Sequence, residues 1–269
     1  NFSGITKSEW AGPVTINSNT MLDARWFPEV KLNFADQLLT RNDDAAAIIF
    51  WGEDKVQKKI SWAKLNRDVG DLAQTLHDFG IKPGDRIAGL MGNVPEAVIW
   101  FLATVALGAT WSSCSPDFGV DGVVDRFGQI NPRILVCNDG YFYAGKHHDC
   151  REKISEIVSF LPSIEACVVV PYSETPLDTK SMSRCEPSEL FCSKRKTSSV
   201  TFQQFPFSHP LYILYSSGTT GRPKCIVHSA GGALLTHVKE HQLHCDIKPG
   251  DKVFYFTTCG WMMWNWLVS

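Results

Sequence analysis

The sequence predicts an α/β protein: a mostly parallel β-sheet with helices on both faces and signs of two similar subdomains. Three observations carry this. From Ser61 to Val170 short apolar runs of strand type alternate with segments of helical periodicity, the pattern of right-handed βαβ crossovers. The 269 residues, 44% of them hydrophobic, suffice for one large core or two smaller ones. Finally, Gly80-Ile81-Lys82-Pro83-Gly84-Asp85-Arg86-Ile87 is echoed by Asp246-Ile247-Lys248-Pro249-Gly250-Asp251-Lys252-Val253, each expected after a helix and before a strand. Either two subdomains share an architecture, or Lys-Pro-Gly-Asp is simply a good helix-to-strand turn.

The elements follow in order. Ser61 is an N-cap type, and Trp62, Leu65, Val69, Leu72, Leu76 and Phe79 recur at alternating three- and four-residue steps, one helical face closed by Gly80. After the Pro83-Gly84 turn, Arg86 to Leu90 reads as a short buried strand. Pro95 suits a helical first turn, and that helix should close at Gly108. Thr110 to Ser113 is the next strand. A helix is expected over about Val120 to Phe127, a strand over Ile134 to Cys137, a helix over Arg151 to Leu161 and a strand over Ala166 to Val170. Residues 172–200 are polar, Ser-rich and broken by proline, and read as an exposed excursion or an insertion with little core.

Composition excludes several function classes. A net charge of −2 and a pI near 6.5 argue against non-specific binding to nucleic acid or anionic membranes. No apolar run approaches the roughly 18 residues of a membrane span, and no signal peptide opens the chain. Nine cysteines without a C-x-x-C pair fit reduced thiols, hence the cytosol.

The most informative segment is Tyr215-Ser216-Ser217-Gly218-Thr219-Thr220-Gly221-Arg222-Pro223-Lys224, which follows the apolar strand Leu211 to Leu214. Glycines let backbone N–H groups approach a ligand closely and form an anion-binding nest. The hydroxyls add neutral donors, and Lys224 adds a mobile positive charge. A Walker A loop would end in Gly-Lys-Ser/Thr and open a helix. Here Pro223 precedes the lysine and Cys225-Ile226-Val227-His228 reads as a strand. A strand–loop–strand cradle for polyphosphate is predicted, holding its ligand without a helix dipole.

This run resembles the phosphate loop of the adenylate-forming superfamily, which includes acyl-CoA synthetases, luciferases and peptide-synthetase adenylation domains. Gly260-Trp261-Met262-Met263-Trp264-Asn265-Trp266 is similar to a further segment of its short-chain acyl-CoA synthetases. Arg25-Trp26-Phe27-Pro28 to Leu32-Asn33-Phe34-Ala35 is similar to their acetyl-CoA-synthetase-type leader. The sequence departs at Cys225, where many relatives have glycine. The resemblance implies a leader over residues 1–42 and an incomplete AMP-binding, adenylate-forming domain over 43–269, with two similar sheet subdomains. It implies an ATP-dependent acid–thiol ligase of fatty-acid and lipid metabolism working through an acyl-AMP intermediate, with ATP, Mg2+ accompanying ATP, and CoA as co-substrate. Its partners would be small molecules, with acetoacetate as the expected acid and acetate or propionate as the alternative. On this resemblance Ser216, Ser217, Gly218, Thr219, Thr220, Gly221 and Lys224 would bind the ATP phosphates, and Trp261, Met262 and Met263 would wall the acyl pocket. Asp117-Phe118-Gly119 and Tyr143-Ala144-Gly145-Lys146 resemble segments facing CoA, with Gly119 and Lys146 as the CoA-binding residues. The chain starts at Asn1 and stops in the apolar run Trp266-Leu267-Val268-Ser269, so a longer enzyme is expected. The adenine and ribose contacts, a magnesium-linked glutamate, the hinge and the adenylation lysine would lie beyond residue 269.

Other residues carry rival readings. His237-Val238-Lys239-Glu240-His241 matches H-x-x-E-H, which on a helix could hold Zn2+ between two histidines with Glu240 as base, a hydrolase instead of a ligase. A solvated helix face is the plainer reading. His147-His148-Asp149-Cys150 are adjacent, and four consecutive side chains seldom converge on one ion. Cys225 is either a nucleophile or a small buried thiol. The Trp261–Trp266 run is either core packing or, with the resemblance, a pocket wall selecting a short 3-oxo acid by shape.

Overall fold

The structure is a computed structural model and describes residues 12–53, 55–173, 178–179, 181–194, 202–216 and 221–269. At the N-terminal side β1 (Thr15–Ile16) pairs antiparallel with β2 (Arg25–Trp26), followed by β3 (Lys31–Leu32) and the short helix α1 (Phe34–Leu38). Asn33 caps α1 by accepting from the N–H groups of Ala35 and Asp36, and its amide donates to the carbonyls of Ala106 and Gln203 at 2.8 and 2.9 Å. Leu32, Phe34 and Ala35 are buried in the main core, so the end of the expected leader is built into the body of the fold. The strands β4 (Ala46–Gly52) and β5 (Val56–Ser61) then form an antiparallel hairpin.

The helix α2 (Trp62–Phe79) has the expected bounds. The Ser61 hydroxyl accepts from the Lys64 N–H, Leu65, Val69, Leu72 and Leu76 are buried, and Gly80 closes the helix in the left-handed region at φ 96°, a conformation that spares glycine alone a Cβ clash. Next come β6 (Arg86–Leu90), α3 (Pro95–Ala106) with Pro95 in its first turn, and β7 (Thr110–Cys114). The helix α4 (Val120–Ile130) runs past the expected Phe127 because Val123, Phe127 and Ile130 form one buried stripe. It leads to β8 (Ile134–Asn138), the hairpin β9 (Gly140–Tyr143) and β10 (Lys146–Asp149), α5 (Arg151–Phe160) and β11 (Ala166–Val170).

The excursion over 172–200 differs from expectation where it is described. It supplies β12 (Cys185–Pro187), parallel to β11, and α6 (Ser188–Ser193). Phe191 of α6 is fully buried, with its ring 5.6 Å from Phe79 and 6.0 Å from Trp100. Phe191, with the buried Met182 and the half-buried Tyr172, ties this polar stretch to the core, which a compositional reading cannot register.

The chain then forms β13 (Phe205–Pro206) against β3, the strands β14 (Pro210–Ser216) and β15 (Lys224–Ser229), and α7 (Ala230–Lys239), which continues as a π-helical turn over Glu240–His244; α8 (Met262–Leu267) is the final element. The main sheet has seven strands in the order β12-β11-β8-β6-β7-β14-β15, parallel throughout except for β15, which runs antiparallel to β14. Successive residues alternate between two cores, Ile134 and Val136 facing one and Leu135 and Cys137 the other, as a sheet covered on both faces requires. The described residues build one such sheet. The second Lys-Pro-Gly-Asp repeats the first turn, with the Lys82 and Lys248 N–H groups donating to the carboxylates of Asp85 and Asp251 at 2.9 and 2.8 Å. Among the described residues no strand follows it, and Phe254 and Phe256 are exposed.

Candidate active site

Six parallel strands put all their carboxyl ends on one edge of the sheet, where open α/β sheets bind ligands. The connections that leave this edge are the segments singled out by sequence. The run beginning at Ser217 follows β14, Asp117-Phe118-Gly119 follows β7, and the hairpin carrying Lys146 follows β8. Strand order also reverses here, since β6 lies between β7 and β8. At that switch point the Gly92 N–H donates to the Asn138 side-chain oxygen at 3.0 Å.

The run 215–224 is flanked by strands on both sides, β14 up to Ser216 and β15 from Lys224 on, as its sequence predicts. Leu211 to Leu214 are buried between the two faces of the sheet, and the β14–β15 ladder ends in the rungs Tyr215↔Cys225 and Ser216↔Lys224. Facing residues on paired strands project to the same side, so Ser216 and Lys224 share a face at the mouth of the loop. Ser217, Gly218, Thr219 and Thr220 lie outside the described residues. Gly221 has φ 93°, the left-handed region that favours glycine and opens a backbone N–H toward a ligand. The Tyr215 side chain anchors the incoming limb: its hydroxyl is hydrogen-bonded to Ser112 at 2.9 Å. Burial pushes that phenol's pKa far above its ordinary value, so it stays protonated. The outgoing limb is held from α4. Gln129 donates to the Pro223 carbonyl at 2.8 Å and Asp125 lies 3.2 Å from the Arg222 guanidinium. Neither residue carries a sequence signal, because the partners are remote in the chain and the contact is made only by the fold.

The Gly260–Trp266 segment crosses the same edge. The Ser113 hydroxyl donates to the Cys259 carbonyl at 2.5 Å, the Cys259 thiol donates to the Gly92 carbonyl, and the Trp264 indole N–H donates to the Asn93 side chain at 2.9 Å. Gly260 passes so close that a Cβ there would sit 3.3 Å from the Ser115 nitrogen and 3.5 Å from the Cys114 Cα. Within this run Trp264 is fully buried, whereas Trp261 and Met262 are exposed and Met263 is half-buried. Core packing therefore describes Trp264, while Trp261, which caps α8, and Met262, its first residue, are exposed. Gly119 caps α4 with open space around it. The exposed Lys146 follows the tight turn Ala144-Gly145, whose Gly145 N–H donates to Glu53 at 2.8 Å.

The rival readings have other occupants. The His237 ring is buried against the Ser269 hydroxyl, and His241 Nε2–H donates to the Trp266 carbonyl at 2.9 Å. Both histidines thus clamp residues 266–269 onto α7, and among the described residues no three His, Cys, Asp or Glu side chains converge as a metal site. His148 stacks on Tyr141 and His147 tilts against Phe142, while Asp149 pairs with Arg151. Cys225 faces the α4 side, where burial raises its thiol pKa. It is a packing thiol, not an activated nucleophile.

The sheet, its carboxyl-edge loop and the match over residues 34–268 define the class: the chain belongs to the AMP-binding enzyme family. Within that class it is similar to the acetoacetyl-coenzyme A synthetase of Rhizobium meliloti (strain 1021), 48% identical over 258 residues that make up 94% of this chain and 39% of that protein. The malonamoyl-CoA synthetase vrtB of Penicillium aethiopicum is 42% identical over 256 residues, 91% of this chain and 35% of its own length. Among solved structures, the acetoacetyl-CoA synthetase from Streptomyces lividans matches with a TM-score of 0.86 at 42% identity, covering 95% of this chain and 39% of that one. The chain thus spans less than half the length of the relatives it matches. No helix among the described residues is long and apolar enough to cross a membrane.

Proposed function

We propose that the protein is an ATP-dependent acid–thiol ligase that joins acetoacetate to CoA through an acyl-adenylate. The observation that carries this reading is the convergence of the phosphate, acyl and thiol segments on one sheet edge in a member of the AMP-binding family. The choice of acid rests on the relatives: acetoacetyl and malonamoyl groups both carry a carbonyl two carbons from the thioester carbon. A compact polar acyl group of that kind suits a pocket walled by Trp261, Met262 and Met263, which would select by shape. Acetate and propionate lack that carbonyl and would be poorer substrates.

The carboxylate of the acid attacks the α-phosphorus of ATP, and pyrophosphate leaves. Charge grows on the departing phosphates, where Lys224 neutralises it and Ser216, Ser217, Thr219 and Thr220 donate hydrogen bonds. Gly218 and Gly221 admit backbone N–H groups to the same oxygens. The CoA thiol, brought up along Gly119 and Lys146, then attacks the acyl carbonyl and AMP departs. Mg2+ would enter bound to the ATP phosphates and contribute charge neutralisation. The partners are small molecules, and the near-neutral net charge offers no support for nucleic-acid binding. Nine free thiols support a cytosolic site of action.

Lys224→Ala tests the phosphate role. In the full-length protein it should lower kcat/KM for ATP roughly 10- to 150-fold, the equivalent of about 1.5–3 kcal/mol for a lost charged hydrogen bond. Unchanged ATP kinetics would remove the cradle from the mechanism.

A further inference from the structure

The cradle's two anchoring rungs are weakly held by the sheet itself. Among the described residues β15 lies at the sheet edge with a single ladder partner, and Ser216↔Lys224 is the last rung before residue 217. Terminal rungs on an edge strand open at the low-energy end of local fluctuations. What stands against them is α4. On the incoming limb the Phe127 ring lies 6.5 Å from Tyr215, and the Arg126 guanidinium sits 5.9 Å from the Tyr215 ring and 4.7 Å from that of Phe118. On the outgoing limb, Gln129 and Asp125, one helical turn apart, reach Pro223 and Arg222, the two residues before Lys224.

We propose that Gln129 is a positioning residue for ATP binding: its hydrogen bond to the Pro223 carbonyl fixes the backbone that presents Lys224 to the phosphates. This rests on the reading of the loop as a phosphate cradle. Of the two outgoing contacts, both from exposed side chains, only the hydrogen bond engages the main chain. The Arg222–Asp125 pair joins side chains that are 78% and 40% exposed, and ion pairs so exposed contribute little. Gln129 acts on the main chain itself. Its amide also donates to the Asp125 carbonyl at 2.7 Å, which holds the side chain in a single orientation toward the loop. Its influence passes through Pro223 to Lys224.

The test compares Gln129→Met, which keeps the reach and the charge and loses both donors, with Gln129→Glu, which loses them and adds a negative charge, and Gln129→Lys, which restores a donor at similar reach. Initial rates of pyrophosphate release by the full-length protein give kcat and the KM values for ATP and for acetoacetate. Gln129→Met should raise KM for ATP roughly 3- to 10-fold, the factor for one neutral hydrogen bond, and Gln129→Glu at least as much, with KM for acetoacetate and Tm unchanged. Gln129→Lys should recover KM for ATP to within about twofold of the parent, since one donor to Pro223 is enough. Asp125→Asn should change it less than about twofold. A normal KM for ATP in Gln129→Met, or a Lys variant no better than the Met variant, overturns the inference. Lys224→Ala in the same assay separates the two levels. If Lys224→Ala impairs ATP use and Gln129→Met does not, the cradle stands and the role of Gln129 falls. If neither impairs it, the reading of the cradle fails and takes the inference with it.

Discussion

Trp264 is the residue on which the placement of the Gly260–Trp266 segment turns, and its replacement has a calculable effect. Its ring lies 5.9 Å from Phe101, which also packs on Phe34, Trp111 and Tyr212 at 5.8, 6.4 and 6.3 Å. Trp264 thus completes an aromatic cluster around a helix residue that is itself fully buried. Trp264→Ala empties that wall and should destabilise by about 3–5 kcal/mol. Trp264→Phe keeps most of the ring contact but loses the indole N–H bond to Asn93. Because Asn93 is exposed, water can replace the lost donor, which holds that loss near the lower end of 0.5–1.5 kcal/mol. Adding the missing part of the indole gives a total of about 1–2 kcal/mol for the Phe variant. Urea unfolding, with the midpoint read at constant m value, resolves the two. A Trp264→Ala variant within about 1 kcal/mol of the parent would refute the reasoning, because a side chain anchoring this segment cannot be removed at so small a cost.

Two further outcomes follow from the same geometry. Trp261→Ala should alter the ratio of kcat/KM between acetoacetate and longer acids, because Trp261 is exposed and on the proposed reading its removal opens the wall of the acyl pocket; equal losses for all acids, together with a lower Tm, would make it merely structural. His237 is held neutral: burial first, then His241 and His228, lower its pKa to about 4, with Glu240 opposing. Unfolded, the imidazole titrates near 6.5, so between about pH 6.5 and 4 the unfolded state binds more protons and stability falls as pH falls. The loss is capped at about 3 kcal/mol, and His237→Gln should flatten that limb of the stability–pH profile; an unchanged profile contradicts the burial of this ring.

The parallel part of the sheet was legible because its determinants are local. Ser61 and Gly80 bracket α2 as cap residues do, Pro95 opens α3, and the β-branched runs at 134–137 and 166–170 need only their own periodicity to declare themselves. The strand-to-strand context of residues 217–220 was legible for the same reason, since the apolar run 211–214 and the β-branched run after Lys224 declare their own strands. What escaped depends on remote partners. Asn33 ties α1 to Ala106 and Gln203, far along the chain. Phe191 enters the core from a polar stretch, and Gln129 meets Pro223 only once β15 has paired with β14. The H-x-x-E-H pattern shows the opposite limit: its spacing is correct, yet the rings turn to Ser269 and Trp266, a choice made by packing and not by spacing.

The most direct measurement is ATP–pyrophosphate exchange by the full-length protein in the absence of CoA, with each short acid supplied in turn. A ligase working through an acyl-adenylate returns labelled pyrophosphate to ATP when acetoacetate is present, only weakly with acetate or propionate, and not at all without an acid. Exchange that is independent of acid, or equally fast with acetate, would contradict an acetoacetate-activating enzyme.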